Sequence, residues 1–418
     1  METKQTAQNA QQAVELVANQ AILASQQGTF AVGGCIIDNA TGNVLAALHN
    51  NVLMPYPGST AQPPFLPHDP TAHGERQLVD WYFANRQRLG LPAPEKLTVV
   101  TTLDPCAMCA GSLLTAGFNV AVSAIDTYAG INFNSQFDFP SLPPAVRQKA
   151  QASWGYYAVA APINRPYQGA GSGPVYAGCG IDAAAFSLTG SIFDASVSNV
   201  RDASNNSGLP PDQLRNPSSL PADSKVRQAL AALSPWSLKV SSANPRMPGQ
   251  ELARPLIETA RQADTMNAVA LLDPFGNLLA CLGGVEKQSP IRTAFMETTR
   301  GYAELRWKLM NDNDPAVRAQ AKQCLTHPKY GTFVFLYIPD PATSQAVMTF
   351  GAYGSTMEGP VPQSFPSNLQ YVLLPAGVSA QAVAQLAQNL PPFYTQSVQV
   401  APSQVLDTAL ISAVQREL

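Results

Sequence analysis

Charge is scarce in this chain. Asp, Glu, Lys and Arg make up 13% of its 418 residues, about half the usual share. The net charge is -3, and residues 1–165 hold eight Lys and Arg against ten Asp and Glu. That balance leaves no cationic excess for phosphates or an anionic membrane, so nucleic acid is not the expected partner. Long apolar runs are missing too: no window approaches about 18 uninterrupted apolar residues, which argues against a membrane-spanning helix. The opening residues Met1-Glu2-Thr3-Lys4-Gln5 carry no basic segment leading into an apolar stretch, so no signal peptide is expected and the protein is expected in the cytoplasm. Cysteine and histidine are few, at six and four. In a reducing compartment such cysteines are not a disulfide framework, and Cys35, Cys179, Cys281 and Cys324 are expected to be buried thiols. Proline and glycine run the other way, at 36 and 28, which predicts long, neutral, irregular loops. The length allows two ordinary domains.

The rare residue types are not scattered. His73-Gly74-Glu75 and Pro105-Cys106-Ala107-Met108-Cys109 hold three zinc-type ligands, His73, Cys106 and Cys109, and one spare carboxylate. A structural zinc site fills all four tetrahedral positions with protein, whereas a catalytic site keeps one for water. Three ligands therefore describe a catalytic metal. A structural site would need a fourth ligand, for which His49 and His68 are nearest in sequence. Glu75 is left to carry protons between a metal-activated water and a leaving amine.

Residues 8–26 show apolar positions at helical spacing and end at Gly28. Residues 30–37 read as a buried strand, 39–43 as a turn containing Gly42, and 44–48 as the return strand of a hairpin. A proline-rich stretch from Met54 to Pro67 leads to a helix over 77–89, a strand over 97–103 and a helix over 107–116. Strand alternating with helix implies a sheet with helices on its faces. Asp69-Pro70 and Asp104-Pro105 each offer a capping residue and a first-turn proline, which would set both motifs at helix starts. Cys106 and Cys109 then share a helix face, where the positive end of the dipole favours thiolates. Trp81, Tyr82 and Phe83 are read as core. Residues 166–235, rich in Gly, Ser, Asn and Pro, are expected to link a catalytic domain over 1–165 to a second domain over 236–418, with local helix between Ala183 and Val200.

The second half repeats the order of elements in the first. Asp273-Pro-Phe-Gly-Asn-Leu-Leu279 answers Asp38-Asn-Ala-Thr-Gly-Asn-Val-Leu45, and Thr293-Ala-Phe-Met-Glu297 lines up with Thr71-Ala-His-Gly-Glu75. A gapless alignment sets Leu97 to Gly117 on Gly331 to Gly351. In it Phe295 stands for His73, Asp340 for Cys106 and Thr343 for Cys109, while Glu297 matches Glu75. The second copy is thus expected to lack metal, to leave one Zn2+ per chain, and to act as a pseudo-dimer partner within the chain, with a homodimer also open.

His68-Asp-Pro-Thr-Ala-His-Gly-Glu75 and Leu103-Asp-Pro-Cys-Ala-Met-Cys-Ala-Gly111 resemble the cytidine deaminase-like superfamily, on the branch of bacterial tRNA adenosine deaminases and guanine deaminases. That branch shows Asp-Pro-Thr-Ala-His-Ala-Glu followed by Glu-Pro-Cys-x-Met-Cys-x-Gly. Gly74 and Asp104 depart from it, as does the proline-rich insertion after Asn50. The resemblance covers residues 8–130 strongly and 236–355 weakly. It implies two three-layer α/β/α domains, each a central mixed sheet with helices on both faces, the second degenerate. It also implies hydrolytic deamination of a small amino-substituted heterocycle, a nucleobase or nucleoside with purines such as guanine favoured. His73, Cys106 and Cys109 would hold zinc, Glu75 would shuttle protons, and Asn50 would orient the base. An RNA-modifying enzyme of the tRNA adenosine type and a catalytically silent zinc-binding scaffold are the alternatives.

Overall fold

The computed structural model describes residues 5–54, 67–159, 180–204, 208–357 and 359–418. The first helix, α1 (Ala10–Gln27), starts where the Asn9 side chain accepts the Gln12 N–H and stops at Gly28, which takes the left-handed conformation at φ 86°. There follow β1 (Gly33–Asp38), β2 (Val44–His49), α2 (Gly74–Leu89), β3 (Leu97–Leu103), α3 (Ala107–Ala116), β4 (Asn119–Ala124), α4 (Pro144–Ser153) and β5 (Trp154–Tyr156). These strands make one sheet in the order β2-β1-β3-β4-β5. The β1 strand is antiparallel to β2 and β3, and the β3–β4 and β4–β5 pairs are parallel. All seven residues of β3 are buried, as a strand covered on both faces requires.

A short ladder of β6 (Ala158–Val159) and β7 (Gly180–Ile181) leads to α5 (Ala183–Ser204), and α6 (Lys225–Leu233) follows. The described residues of the stretch expected to be a linker pack on both halves. Helix α5 lies on the first: Ser196 Oγ accepts the Ala31 N–H at 2.9 Å, and Thr189 meets Ser123 at 3.0 Å. Its apolar residues Ala185 and Val200 are buried there, and an amphipathic helix of that kind needs a surface to cover. From residue 208 the chain joins the second half, where the Arg215 N–H donates to the Gln323 carbonyl at 2.8 Å.

The second half comprises α7 (Ala253–Gln262), β8 (Ala268–Leu272), β9 (Leu278–Gly283), α8 (Ala294–Met310), α9 (Pro315–Cys324), β10 (Thr332–Tyr337), α10 (Ser344–Met357), β11 (Leu369–Leu373), α11 (Ala380–Asn389), a π-helix over Phe393–Val398, β12 (Ser403–Gln404) and α12 (Thr408–Glu417). Its sheet runs β9-β8-β10-β11-β12, with two antiparallel pairs followed by two parallel ones. This is the order and sense of the first sheet. Even the irregularity repeats: the hairpin register shifts between Ile36 and Ile37, and between Leu271 and Leu272. The chain is two α/β/α domains of one topology, each a mixed sheet with helices on its faces, as the sequence implies.

Alternation along the strands sorts the core. Cys35, Ile37, Val100 and Ala121 pack under α1 and α5, while Ile36, Val99, Val120 and Val122 face α2 and α3. That second layer continues without a break into Val269, Leu271 and Phe333 of the other sheet. The helices α3 and α10 meet at its centre, antiparallel, with Thr115 bonded to Ser344 at 2.8 Å. Trp81, Tyr82 and Phe83 pack on this core as expected. Cys35, Cys281 and Cys324 are buried free thiols; Cys179 and most of the proline-rich stretch lie outside the described residues. Among the described residues no helix is long and apolar enough to cross a membrane.

Candidate metal centre and active site

Both motif helices begin beside the carboxyl end of β3, a common place for ligands in open α/β sheets. His73 is the N-cap of α2 at φ -70° and ψ 148°, and Cys106 the N-cap of α3 at φ -64° and ψ 168°. Extended backbone at the cap throws each ligand out beyond the first turn, where unpaired N–H groups and the helix dipole favour negative charge. Neither helix has a side-chain cap. Asp69 and Asp104 thus do not cap, contrary to expectation. Both carboxylates are buried, so they bond to buried donors instead. Asp69 Oδ1 accepts the N–H and hydroxyl of Thr71 at 2.8 and 2.6 Å, and its Oδ2 meets Arg76 Nη2 at 3.2 Å and Arg300 Nε at 3.1 Å. Asp104 accepts the Tyr156 hydroxyl at 2.6 Å and the Asn132 N–H at 2.8 Å.

The donor atoms of His73, Cys106 and Cys109 lie within 4.8 Å of one another, and no other such group occurs among the described residues. Cys106 Sγ stands 3.6 Å from His73 Nδ1. Zinc binds sulfur at about 2.3 Å and imidazole nitrogen at about 2.05 Å, which sets two such tetrahedral donors about 3.6 Å apart. The donor set fits zinc in kind and spacing. Neither histidine considered as a fourth ligand takes part. His49 Nδ1 lies 2.8 Å from the Asn50 carbonyl, and the His68 ring meets Trp307 edge-on at 4.7 Å.

Glu75, in the first turn of α2, is 3% exposed, and its Oε1 accepts the Thr101 hydroxyl at 3.0 Å. Burial, with the Cys106 sulfur beside it, pushes the Glu75 carboxyl above its ordinary range. The two cysteines split. A hydrogen bond from Cys109 holds the Cys106 thiol well below its usual value, with His73 adding to the effect, while burial drives Cys109 up. Burial also works to raise the Asp69 carboxyl, but Arg76, Arg300 and the Thr71 bonds overcome it and leave it low.

These groups open onto a cavity of about 900 Å³. The first half lines it with Asn50, His73, Glu75 and Cys106, α5 adds Phe193 and Asp194, and the second half adds Ser355, Phe393 and Tyr394. Phe30 lies 6.3 Å from Phe193, and Tyr128 lies 5.8 Å from Phe393, ring to ring. Beyond Asn50 and the two motifs, sequence reading missed the walls of this cavity. They come from segments with no motif, so only the fold brings them here.

The corresponding place in the second half is filled with rings. Thr101 pairs with Gly34, and Phe335 pairs with Val269, at the same distance before the shared register shift. Phe335 therefore stands where Thr101 does, and the ring stacked on it at 5.4 Å is Phe295. Phe295 is the second residue of α8 as Glu75 is of α2. It is thus the counterpart of Glu75, and Thr293 is that of His73. Glu297, expected to persist as the carboxylate, lies two positions on and pairs with Arg292 at 2.6 Å. The gapless alignment fails again after β10, because six residues separate it from α10 where three separate β3 from α3. By helix position Cys106 matches Thr343, and Cys109 matches Ala346. In this register Thr293, Thr343 and Ala346 stand at the positions of the three ligands.

Residues 5–124 match the family model for the cytidine and deoxycytidylate deaminase zinc-binding region. The first half thus carries a zinc-binding deaminase domain, with His73, Cys106 and Cys109 placed together as its zinc site. Solved structures similar to it include a tRNA:A34 deaminase, 23% identical over 28% of this chain and 79% of that one, with a TM-score of 0.22. A guanine deaminase from Nitrosomonas europaea is 14% identical over 46% of this chain and 89% of its own, with a TM-score of 0.28.

Proposed function

We propose that the chain converts the ring amine of a free nucleobase or nucleoside to a carbonyl by hydrolysis, releasing ammonia. The supporting observation is a single cavity that holds His73, Glu75, Cys106 and Asn50 and has no Lys or Arg among its described lining residues. Zinc bound by His73, Cys106 and Cys109 would supply an acidified water beside Glu75. Glu75 would take a proton from that water as the water oxygen bonds to the amine-bearing carbon, pass it to the adjacent ring nitrogen, and then move the remaining hydroxyl proton to the amine, which leaves as ammonia as the carbonyl forms. A carboxyl raised by burial is suited to give the proton back as well as to take it. Asn50 Oδ1 is engaged by the Thr29 hydroxyl and the Val52 N–H, both at 3.0 Å, which leaves its Nδ2 amide to orient the ring.

Aromatic walls suit a flat heterocycle, and the volume lies in the range of small-molecule sites. A lining without cations disfavours phosphorylated substrates and polynucleotides. Purines, guanine among them, are favoured by the branch that the Asp69 to Glu75 motif resembles. The test is ammonia release by the zinc-loaded chain from bases, nucleosides and their 5′-phosphates. Turnover of a base or nucleoside is expected, with its phosphate at least about tenfold poorer in kcat/KM, the loss of roughly one good polar contact. Turnover confined to tRNA would replace this reading with RNA modification, and none at all would leave a silent zinc-binding scaffold.

A further inference from the structure

The half without metal donors touches the metal site of the other half at two places. On the His73 side, Arg300 of α8 reaches Asp69 at 3.1 Å and Asp80 at 3.3 Å. Asp69 in turn fixes Thr71 through its N–H and hydroxyl, and the Thr71 carbonyl accepts the His73 N–H at 2.8 Å. Four residues thus run in one bonded line from α8 to the backbone of His73. Asp69 is 3% exposed, and a buried carboxylate of that kind holds its position only while its partners hold theirs.

On the Cys106 side the contact is Tyr394, 1% exposed, at the start of the π-helix. Tyr394 lines the same cavity as Cys106, near enough for its phenol and the Cys106 sulfur to feel each other's charge. Gly354 makes room for it, since a Cβ there would stand 2.4 Å from the Tyr394 ring. The π-helix is tied to the loop beside Cys106: the Phe393 N–H donates to the Tyr128 carbonyl at 2.9 Å, and Tyr128 also bonds Ser397. Two residues after Gly130 forms a bridge with Cys106, that loop bonds Asp104 through the Asn132 N–H at 2.8 Å. Helices of the π type often mark functional positions.

We propose that the metal-free half acts as the holder of the metal site, Arg300 positioning the His73 loop and Tyr394 positioning the Cys106 sulfur. The proposal rests on His73, Cys106 and Cys109 binding metal. Donors around the ligands fix their orientation, and losing one commonly costs about 10–100-fold in metal affinity. The test uses the full chain loaded with cobalt in place of zinc, reading the thiolate-to-cobalt absorption band and the rate of metal release to a chelator. Wild type is expected to take one cobalt per chain and show the band. Tyr394→Phe, which keeps the ring, is expected to shift the band and speed release about tenfold or more. Arg300→Met is expected to speed release, and Arg300→Lys to recover part of the loss. If wild type loads cobalt normally and both Tyr394→Phe and Arg300→Met keep its band and release rate, the holder role is overturned. A wild-type chain that takes no cobalt overturns the metal reading itself, and the proposal with it.

Discussion

Gly111 of α3 lies so close to α10 that a Cβ on it would stand 2.4 Å from the Met348 backbone nitrogen. Gly351 of α10 returns the relationship, at 2.1 Å from the Met108 nitrogen. Each glycine faces the backbone beside the other's neighbouring methionine, so the two halves approach as closely as helices can. The helix that carries Cys106 and Cys109 is therefore seated directly on the second half.

Gly111→Ala is expected to destabilise the chain by about 1–3 kcal/mol, because overpacking against backbone cannot be relieved by a rotamer change. Gly351→Ala should do the same. The double variant should cost less than the sum, since both act on one contact. Equilibrium denaturation of the three variants checks this, and additive losses would deny that the contact is shared.

Asn50→Ala removes a cavity-lining side chain and the acceptor of the Thr29 hydroxyl and the Val52 N–H. We expect kcat/KM to fall about 10–100-fold, with bound zinc unchanged and stability lowered by about 1–3 kcal/mol. Steady-state kinetics beside zinc analysis separates this from loss of metal. A fall in stability with kcat/KM intact would reduce Asn50 to a turn residue.

Asp273 gives a pH dependence of unusual sign. It is 1% exposed, and burial raises its carboxyl from 3.8 to about 6 against the bonds from Asn277 and Phe275. Between 3.8 and about 6 the folded chain holds a proton that the unfolded chain has lost. Stability from this group is therefore greatest below the unfolded value and falls as pH rises through about 6, by roughly 1.4 kcal/mol per unit at most. Denaturation at several pH values checks it: Asp273→Asn should remove this component of the slope.

Metal content follows from the aromatic cluster. One zinc per chain is expected, lost in Cys106→Ser. Phe295→Ala should leave it at one while costing about 3–5 kcal/mol for the cavity made among Phe333, Phe335 and Tyr353. Elemental analysis of purified protein gives the count, and two zincs per wild-type chain would contradict the filled second site.

The sequence makes the strands and the ligands legible because their signals are local. Gly28 stops α1 as read, the hairpin turns at Gly42, and the offset between β3 and β10 is kept by the sheet register. Helix phase was not legible. Three extra residues before α10 slide it against α3, and a gapless alignment hides the slip by pairing Gly117 with Gly351. Charged partners were not legible either. Asp69 has the form of a cap in sequence, but its partner Arg300 is 231 residues away. Tyr394 carries no motif, only the aromatic pair after Pro391 and Pro392.

The central claim is that Glu75 works beside a metal it does not bind. The most direct test is ammonia release by Glu75→Gln, with zinc measured on the same sample. General acid–base catalysis of this kind contributes about 10²–10⁴-fold, so the variant should keep one zinc per chain and lose at least about a hundredfold in kcat on the best substrate of wild type. A variant that turns over at the wild-type rate with zinc in place would contradict the account.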